Sequence, residues 1–292
     1  MIVKAGICVA YDWTFLKESL PAIYSYVDLI CLSIDIDRKS WNGNIFDMDW
    51  QGFKQLIDAI DKEGKIKILE EPFFDASRTP IANECYQRKR MAEFLGAADW
   101  YVQIDTDEII INAEEFINQL KKYKGVSRPV NIHGIWANLI KQTGSGFVYS
   151  ILKTPPLATN LPVYDYGRTN GHFNIYTNTF LAHITWARPE EEVYYKLKNW
   201  GHSHEFNGLS FFRMWQALDD HNWIYLKDFH PMSRSNNMTL HFIKASNIKE
   251  FSQLFKHNNH KLNKIEVLKN NIWFSRISKV LFSIFDKHLF KH

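Results

Sequence analysis

The stretch that decides the fold is residues 98–108, which read ADWYVQIDTDE. Its middle part, residues 100–104, has the large apolar side chains of a buried β-strand. Four polar residues follow at once: Asp105, Thr106, Asp107 and Glu108. In open α/β proteins, ligands bind outside the carboxyl ends of parallel strands, so carboxylates at this position predict a functional site.

The sequence on the amino-terminal side of this stretch alternates predicted strands with predicted helices. Three further apolar runs are typical of buried strands: residues 2–10, 29–36 and 65–70. Three segments repeat apolar residues with the period of a helix: residues 13–23, 53–63 and 82–95. Parallel strands need crossover connections, which these helices supply. We therefore predict an α/β fold with a mostly parallel central sheet flanked by helices.

The pattern changes beyond residue 124. Apolar runs predict strands over residues 130–139 and 179–186, and helical periodicity returns in residues 190–200 and 209–219. Residues 140–178 are rich in Gly and Pro, which predicts loops that shape a substrate site. With neither an internal repeat nor a low-complexity linker in the sequence, we expect one domain over residues 1–260 and an appendix over residues 261–292.

Composition excludes several classes of protein. The 292 residues are 46% hydrophobic and 23% charged, which is typical of a folded protein and not of a disordered one. A net charge of +3 is too small to indicate a nucleic-acid partner. The three cysteines are scattered among apolar neighbours, which suits reduced thiols. We find no run of about 20 apolar residues and no leader-like start, so we expect a cytoplasmic protein.

The acidic strand end has two interpretations. Asp105 and Asp107 lie on the same side of an extended backbone, and carboxylate oxygens facing a diphosphate can hold Mg²⁺ or Mn²⁺. The side chains would then lie at an exposed sheet edge. In the alternative interpretation, one of the two residues caps a helix over residues 109–120.

Three blocks of sequence resemble bacterial family 2-like glycosyltransferases with the GT-A fold, a Rossmann-like α/β arrangement. The first is NECYQR at residues 83–88, followed by DW at 99–100 and DTDE at 105–108. The second is DIDRKSWNG at residues 35–43. The third is HITWARPEEE at residues 183–192 with Lys196 and Gly201-His202, which also resembles the bisecting N-acetylglucosaminyltransferase family. Together the blocks extend over roughly residues 1–210.

The resemblance implies a metal-dependent enzyme that moves a sugar from a nucleotide diphosphate donor, a UDP-sugar, to a glycan or lipid-linked acceptor. It implies that Asp107 ligates Mn²⁺ or Mg²⁺ with help from Asp105, and that a later histidine, for which we take His183, completes the shell. The residues implied on the donor side are Tyr11, Asp35, Arg38, Trp41, Arg88, Asp105 and Thr106. His183 could instead be a buried strand residue or an acceptor contact, with His172, His202 and His204 as rivals for the metal.

The catalytic base is expected among acidic residues near the end of the domain. Glu191 lies where inverting members of the family place their base, and Asp165 in an aromatic loop is its rival. Acidic residues in a first helical turn are also favoured by the helix dipole, which explains Glu190, Glu191 and Glu192 without catalysis.

Two other functions are compatible with the same carboxylates. One is a metal-dependent phosphodiesterase or nucleotidyltransferase, although a second set of acidic ligands for a two-metal site is not evident. The other is a catalytically silent glycan-binding protein that retains the fold.

The appendix has its own pattern. Residues 261–292 hold seven Lys and Arg against two acidic residues, so the net positive charge of the chain comes from this segment. Residues 270–290 place Trp, Phe, Ile, Val and Leu on one helical stripe. A basic amphipathic helix of this kind binds an anionic membrane surface. The stripe could instead dock on the protein's own core or on a second subunit in a homo-oligomer.

We predict that truncation after residue 268 releases the protein from anionic vesicles and leaves donor hydrolysis intact, because the matched blocks all precede residue 210. Binding of the full chain should weaken in high salt, where the screening length falls to about 3 Å at 1 M. Vesicle sedimentation of both forms measures this. Equal vesicle binding by both forms would show that the tail does not bind the membrane. Unfolding of the truncated form would show that the stripe is part of the core.

Overall fold

The computed structural model describes residues 1–152, 155–200, 203, 205–231 and 239–257. Within these ranges one ten-stranded mixed sheet is flanked by helices. The strands are β1 (Val3–Val9), β2 (Leu29–Asp35), β3 (Ile66–Glu71), β4 (Trp100–Asp105), β5 (Glu108–Ile110), β6 (Val130–Gln142), β7 (Phe147–Leu152), β8 (Pro156–Thr159), β9 (Phe173–His183) and β10 (Leu240–Ile243). The α-helices are α1 (Leu16–Ile23), α2 (Trp50–Ile60), α3 (Pro80–Leu95), α4 (Ala113–Lys122), α5 (Glu190–Asn199), α6 (Gly208–Ala217) and α7 (Ile248–His257).

The described residues belong to one unit, Met1–Asn258. The predicted tail, residues 261–292, lies outside the described residues, and so do His202 and His204. The domain boundary at residue 260 therefore stays a prediction. In the part of the chain that is described, no helix is both long enough and apolar enough to cross a bilayer.

The first four strands form the parallel part of the sheet, in the order β3-β2-β1-β4. Alternation along β1 sends Ile7 to one face, where α1, α2 and α4 pack, and Cys8 to the other, where α3 packs. Helices on both faces explain why β1, β2 and β4 are mostly apolar, whereas the edge strand β3 alternates buried and exposed residues. The α/β class with a central sheet flanked by helices is thus confirmed.

The rest of the sheet is mainly antiparallel. β8 joins the edge of β4, and β6, β7 and β10 follow, while β9 pairs parallel to β6 and antiparallel to β5. Residues 140–178, which we predicted to be loop-rich, are about half strand, because β7, β8 and half of β9 lie there. Most of the remaining residues form the turn between β6 and β7, with Gly144 and Gly146, and the long connection between β8 and β9, with Pro162 and Gly167.

The segment after the acidic strand end is not a helix. Residues Glu108–Ile110 form β5, and α4 begins only at Ala113. The cap of α4 is Asn112, whose Oδ1 accepts from the Glu115 amide at 3.3 Å. The interpretation of Asp105 or Asp107 as a helix cap is therefore wrong, since neither residue adjoins a helix.

Substitution of Gly134 tests how closely β6 packs against its neighbours. A Cβ atom added there would lie 2.7 Å from the Thr179 carbonyl oxygen and 2.3 Å from Leu157 Cδ1. We predict that Gly134→Ala lowers the free energy of unfolding by about 1–3 kcal/mol through overpacking. Urea denaturation measures the change. The control is Gly144→Ala, which meets no atom within 4 Å and should be nearly neutral; equal stability of the two variants would contradict the packing.

Candidate functional site

A cavity of about 530 Å³ opens at the carboxyl ends of β1, β2 and β4. The amino-terminal half of the chain contributes Tyr11, Asp12, Asp35, Trp41 and Asp105-Thr106-Asp107 to its wall. The other half contributes Trp136, Asn138, Tyr166, Arg168, His183, Lys196 and Trp200, among others. The predicted acidic strand end thus faces a cavity, as expected from the position of ligand sites in α/β sheets.

Asp107 is the most strongly paired carboxylate of the cavity, and it is buried, with 3% of its surface exposed. Its Oδ2 accepts from Lys196 Nζ at 2.8 Å and from the Arg188 guanidinium. Its Oδ1 lies 3.6 Å from His183 Nε2. Burial by itself would raise the pKa of Asp107, but the charges of Lys196 and Arg188 outweigh it and hold the pKa well below the usual range. Asp107 is therefore ionised.

His183 is held in one orientation by its other ring nitrogen. Nδ1 lies 2.9 Å from Asn138 Oδ1, which also accepts from the Thr185 hydroxyl at 3.1 Å. Burial lowers the pKa of His183 more than the neighbouring Asp107 raises it, which favours the neutral ring. A neutral ring that donates through Nδ1 leaves its lone pair on Nε2, toward Asp107.

Asp105 is held by two guanidinium groups. Its Oδ1 accepts from Arg88 at 2.7 Å and its Oδ2 from Arg168 at 3.4 Å. Burial raises the pKa of Asp105, but the charges of Arg88 and Arg168 lower it by more, so the pKa lies below its usual value. Arg88 is itself fixed by Glu84 at 2.9 Å and does not line the cavity. The structure therefore places Arg88 behind Asp105.

Glu108, to which the sequence assigned no role, organises the cavity wall. It is fully buried and binds Arg168 through both oxygens, at 2.6 and 2.7 Å. It also accepts from Trp136 Nε1 at 2.8 Å and from the Asp105 amide at 3.0 Å. One carboxylate thereby fixes a cation, an aromatic ring and the end of β4.

The nucleotide side predicted from the sequence is only partly in the cavity. Tyr11 and Trp41 line it, with Tyr11 edge-on to Tyr195 at 5.0 Å. Trp41 Nε1 donates to Gln87 Oε1 at 2.7 Å. Asp35 also lines it, but its carboxylate accepts from four backbone amides, those of Asp37, Lys39, Phe73 and Phe74. Asp35 thus ties two loops together.

Besides Arg88, four predicted residues lie outside the cavity wall. Arg38 pairs with Glu70 at 2.7 Å and stacks over Trp50, and its backbone takes a left-handed φ of 57°. Asp165 and Glu191 are exposed, and neither lines the cavity. Their assignment as base stays a prediction. His172 is also outside, 3.3 Å from the Thr159 hydroxyl.

Asp107 Oδ1 and His183 Nε2 fit a divalent cation as its two protein ligands. Mg²⁺ and related ions are often held by one or two carboxylates together with substrate phosphates, and an imidazole ligand favours Mn²⁺ over Mg²⁺. Asp105 fits less well, since both of its oxygens already accept from guanidinium groups. Among the described residues no group of three or more His, Cys, Asp and Glu could hold a metal ion, so a substrate would have to complete the shell.

No known protein family matches the chain, and no curated protein matches it. Solved structures match at low similarity. The crystal structure of S. aureus TarS residues 1–349 in complex with UDP-GlcNAc has a TM-score of 0.31 and 10% identity, covering 47% of this chain and 35% of that chain. The same TarS region without a named ligand gives 0.37 and 9%, over 66% and 62%.

A structure of GalNAc-T7 with UDP, GalNAc and Mn²⁺ gives a TM-score of 0.39 and 8% identity, covering 76% of this chain and 55% of that chain. This chain thus covers less than two thirds of the length of each of these three matched chains.

The Arg168–Glu108 pair provides a test of the cavity wall. We predict that Arg168→Met lowers the free energy of unfolding by about 3–5 kcal/mol, because it leaves Glu108 buried without its cation. Chemical denaturation measures this. The double variant Arg168→Met with Glu108→Gln should lose less free energy of unfolding than the two single variants lose together. Strict additivity would show that the two side chains do not interact.

Proposed function

We propose that this protein is a metal-dependent glycosyltransferase that moves a sugar from a UDP-linked donor to a hydroxyl group of a glycan or lipid-linked glycan. One observation carries the proposal: a single cavity combines aromatic side chains, the Asp105–Asp107 strand end, His183 and the ammonium group of Lys196. These groups are complementary to a base, a sugar and a diphosphate, which are the parts of a nucleotide sugar.

The donor would lie along the carboxyl ends of the parallel strands. Tyr11 and Trp41 offer flat faces for the base, and Asp105 with Thr106 offers oxygen atoms to ribose or the donor sugar. Three further residues from the sequence resemblance act indirectly in this proposal. Asp35 ties together the two loops whose backbone amides donate to it, and Arg38 anchors one of these loops by its pair with Glu70. Arg88 orients Asp105.

The metal would be held by Asp107 Oδ1 and His183 Nε2. When bound there, Mn²⁺ or Mg²⁺ supplies positive charge to the diphosphate leaving group. The chain supplies further positive charge at the same place through Lys196, whose ammonium group lies in the cavity wall. Trp136 and Tyr166, which line the same cavity, provide apolar faces for an acceptor sugar.

In the transfer step the acceptor oxygen bonds to the anomeric carbon, and the bond from that carbon to the β-phosphate oxygen breaks. The electron pair leaves with UDP, and the acceptor proton passes to a carboxylate. Glu191 remains our proposed base, with Asp165 as its rival. Loss of transfer with unchanged UDP affinity in Glu191→Gln, and not in Asp165→Asn, would support that choice.

We predict that Asp107→Asn reduces Mn²⁺-dependent donor turnover at least 100-fold, whereas Asp105→Asn mainly weakens donor binding. The sequence predicted the Asp107 side chain at an exposed sheet edge, where its replacement would cost the fold little. Its burial with Lys196 and Arg188 argues otherwise, and we expect a loss of stability as well. Turnover should therefore be measured below the unfolding temperature of the variant.

The experiment is a screen of nucleotide sugars for Mn²⁺-dependent release of UDP by the full chain. Near-normal turnover by Asp107→Asn would contradict the metal assignment. Release of sugar phosphate would indicate a phosphodiesterase or nucleotidyltransferase. Binding of a nucleotide sugar without turnover, with any acceptor supplied, would indicate a silent glycan-binding protein.

A further inference from the structure

Two cations share one oxygen of Asp107, and they are held very differently. Arg188 is fixed from several sides: its Nε donates to the Ile184 carbonyl at 2.9 Å, and its Nη2 lies 3.3 Å from Asp12 Oδ2. Lys196 Nζ, by contrast, donates to Asp107 and to no other acceptor among the hydrogen bonds of the described residues. Lys196 also lines the cavity, whereas Arg188 does not. Of the two cations, Lys196 is the one that can exchange its partner.

The charges around Asp107 are balanced without a metal. Asp107 and Asp12 face Arg188 and Lys196, so two negative charges meet two positive ones. A divalent cation that enters beside Asp107 Oδ1 is repelled by Lys196, because the two positive charges share one carboxylate. A diphosphate in the cavity adds negative charge that attracts both the divalent cation and Lys196.

We propose that Lys196 competes with the divalent cation for Asp107, and that it passes from Asp107 to the donor diphosphate when the donor binds. This inference rests on the proposed function above. It makes Lys196 a diphosphate ligand in the loaded protein and a block to metal binding in the empty one. Metal and donor then bind as a coupled pair, each raising the affinity for the other by the same factor.

The test measures Mn²⁺ binding by the electron paramagnetic resonance signal of free Mn²⁺ in the full chain with and without UDP, after subtracting the Mn²⁺ that UDP binds in a protein-free sample. Lys196→Gln removes the charge and keeps a hydrogen-bond donor for Asp107, which Arg188 still pairs. We expect its Mn²⁺ affinity without UDP to rise at least tenfold, and the gain in Mn²⁺ affinity caused by UDP to shrink accordingly. Lys196→Arg should keep Mn²⁺ affinity low in the absence of UDP.

The matched control is Lys198→Gln, which removes one positive charge from the same helix. Lys198 is exposed, and its ammonium group lies over Tyr194 at 4.2 Å. Its Mn²⁺ affinity should stay within about twofold of the wild-type value, since the charge is screened by solvent. A thermal unfolding curve of each variant verifies that the measured protein is folded.

The outcomes separate the two proposals. Equal Mn²⁺ affinity of wild type and Lys196→Gln without UDP overturns the competition, even if UDP-loaded protein binds Mn²⁺ well. If Lys196→Gln does not fold, the wild-type protein still tests the competition. Wild-type Mn²⁺ affinity that is the same with and without UDP would also overturn it. Failure of UDP-loaded wild type to bind Mn²⁺ refutes the metal site itself.

Discussion

The pairing of buried carboxylates at the end of β4 is the constraint on which the site depends. Asp107 and Glu108 are almost completely buried, and a buried charge without a partner is costly enough to unfold a marginally stable domain. Their cations come from distant segments: Arg168 from the connection between β8 and β9, Arg188 from the turn after β9, and Lys196 from α5. The cavity exists because these segments must converge on one strand end.

The pairing of strands in the sheet fixes where these segments meet. The parallel strands bring their carboxyl ends to one edge, but parallel strands alone would leave that edge open on one side. β9 closes it by pairing with β5, where Glu108 is opposite His183. The Ile184 amide then donates to the Asp107 carbonyl at 2.9 Å, which fixes the turn toward Arg188. Backbone pairing therefore places His183 beside Asp107 before any side chain is considered.

Residues with a local signal were predictable from the sequence, and those defined by long-range contacts were not. Strand β4 and the acidic residues after it were predictable because a mostly apolar run, WYVQI, ends abruptly in acidic residues. Lys196 belongs to a block that the resemblance matched, but the sequence assigned it no role, because its burial and its contact with Asp107, 89 residues away, have no local signal. Arg38, predicted on the nucleotide side, pairs with Glu70 outside the cavity wall, and its backbone is left-handed, a conformation that nothing in the sequence indicates.

The contact between Arg188 and Asp12 joins residues 176 positions apart in the chain. Contacts of such long sequence separation form late in folding, because the entropy of closing the loop must be overcome before the contact contributes. An amino-terminal fragment that ends after β5 carries Asp107 and Glu108 without Arg168, Arg188 or Lys196. Glu108 gains its cation only once residue 168 has been synthesised, and Asp107 gains both of its cations only after residue 196. Assembly of the cavity is consequently coupled to completion of the chain.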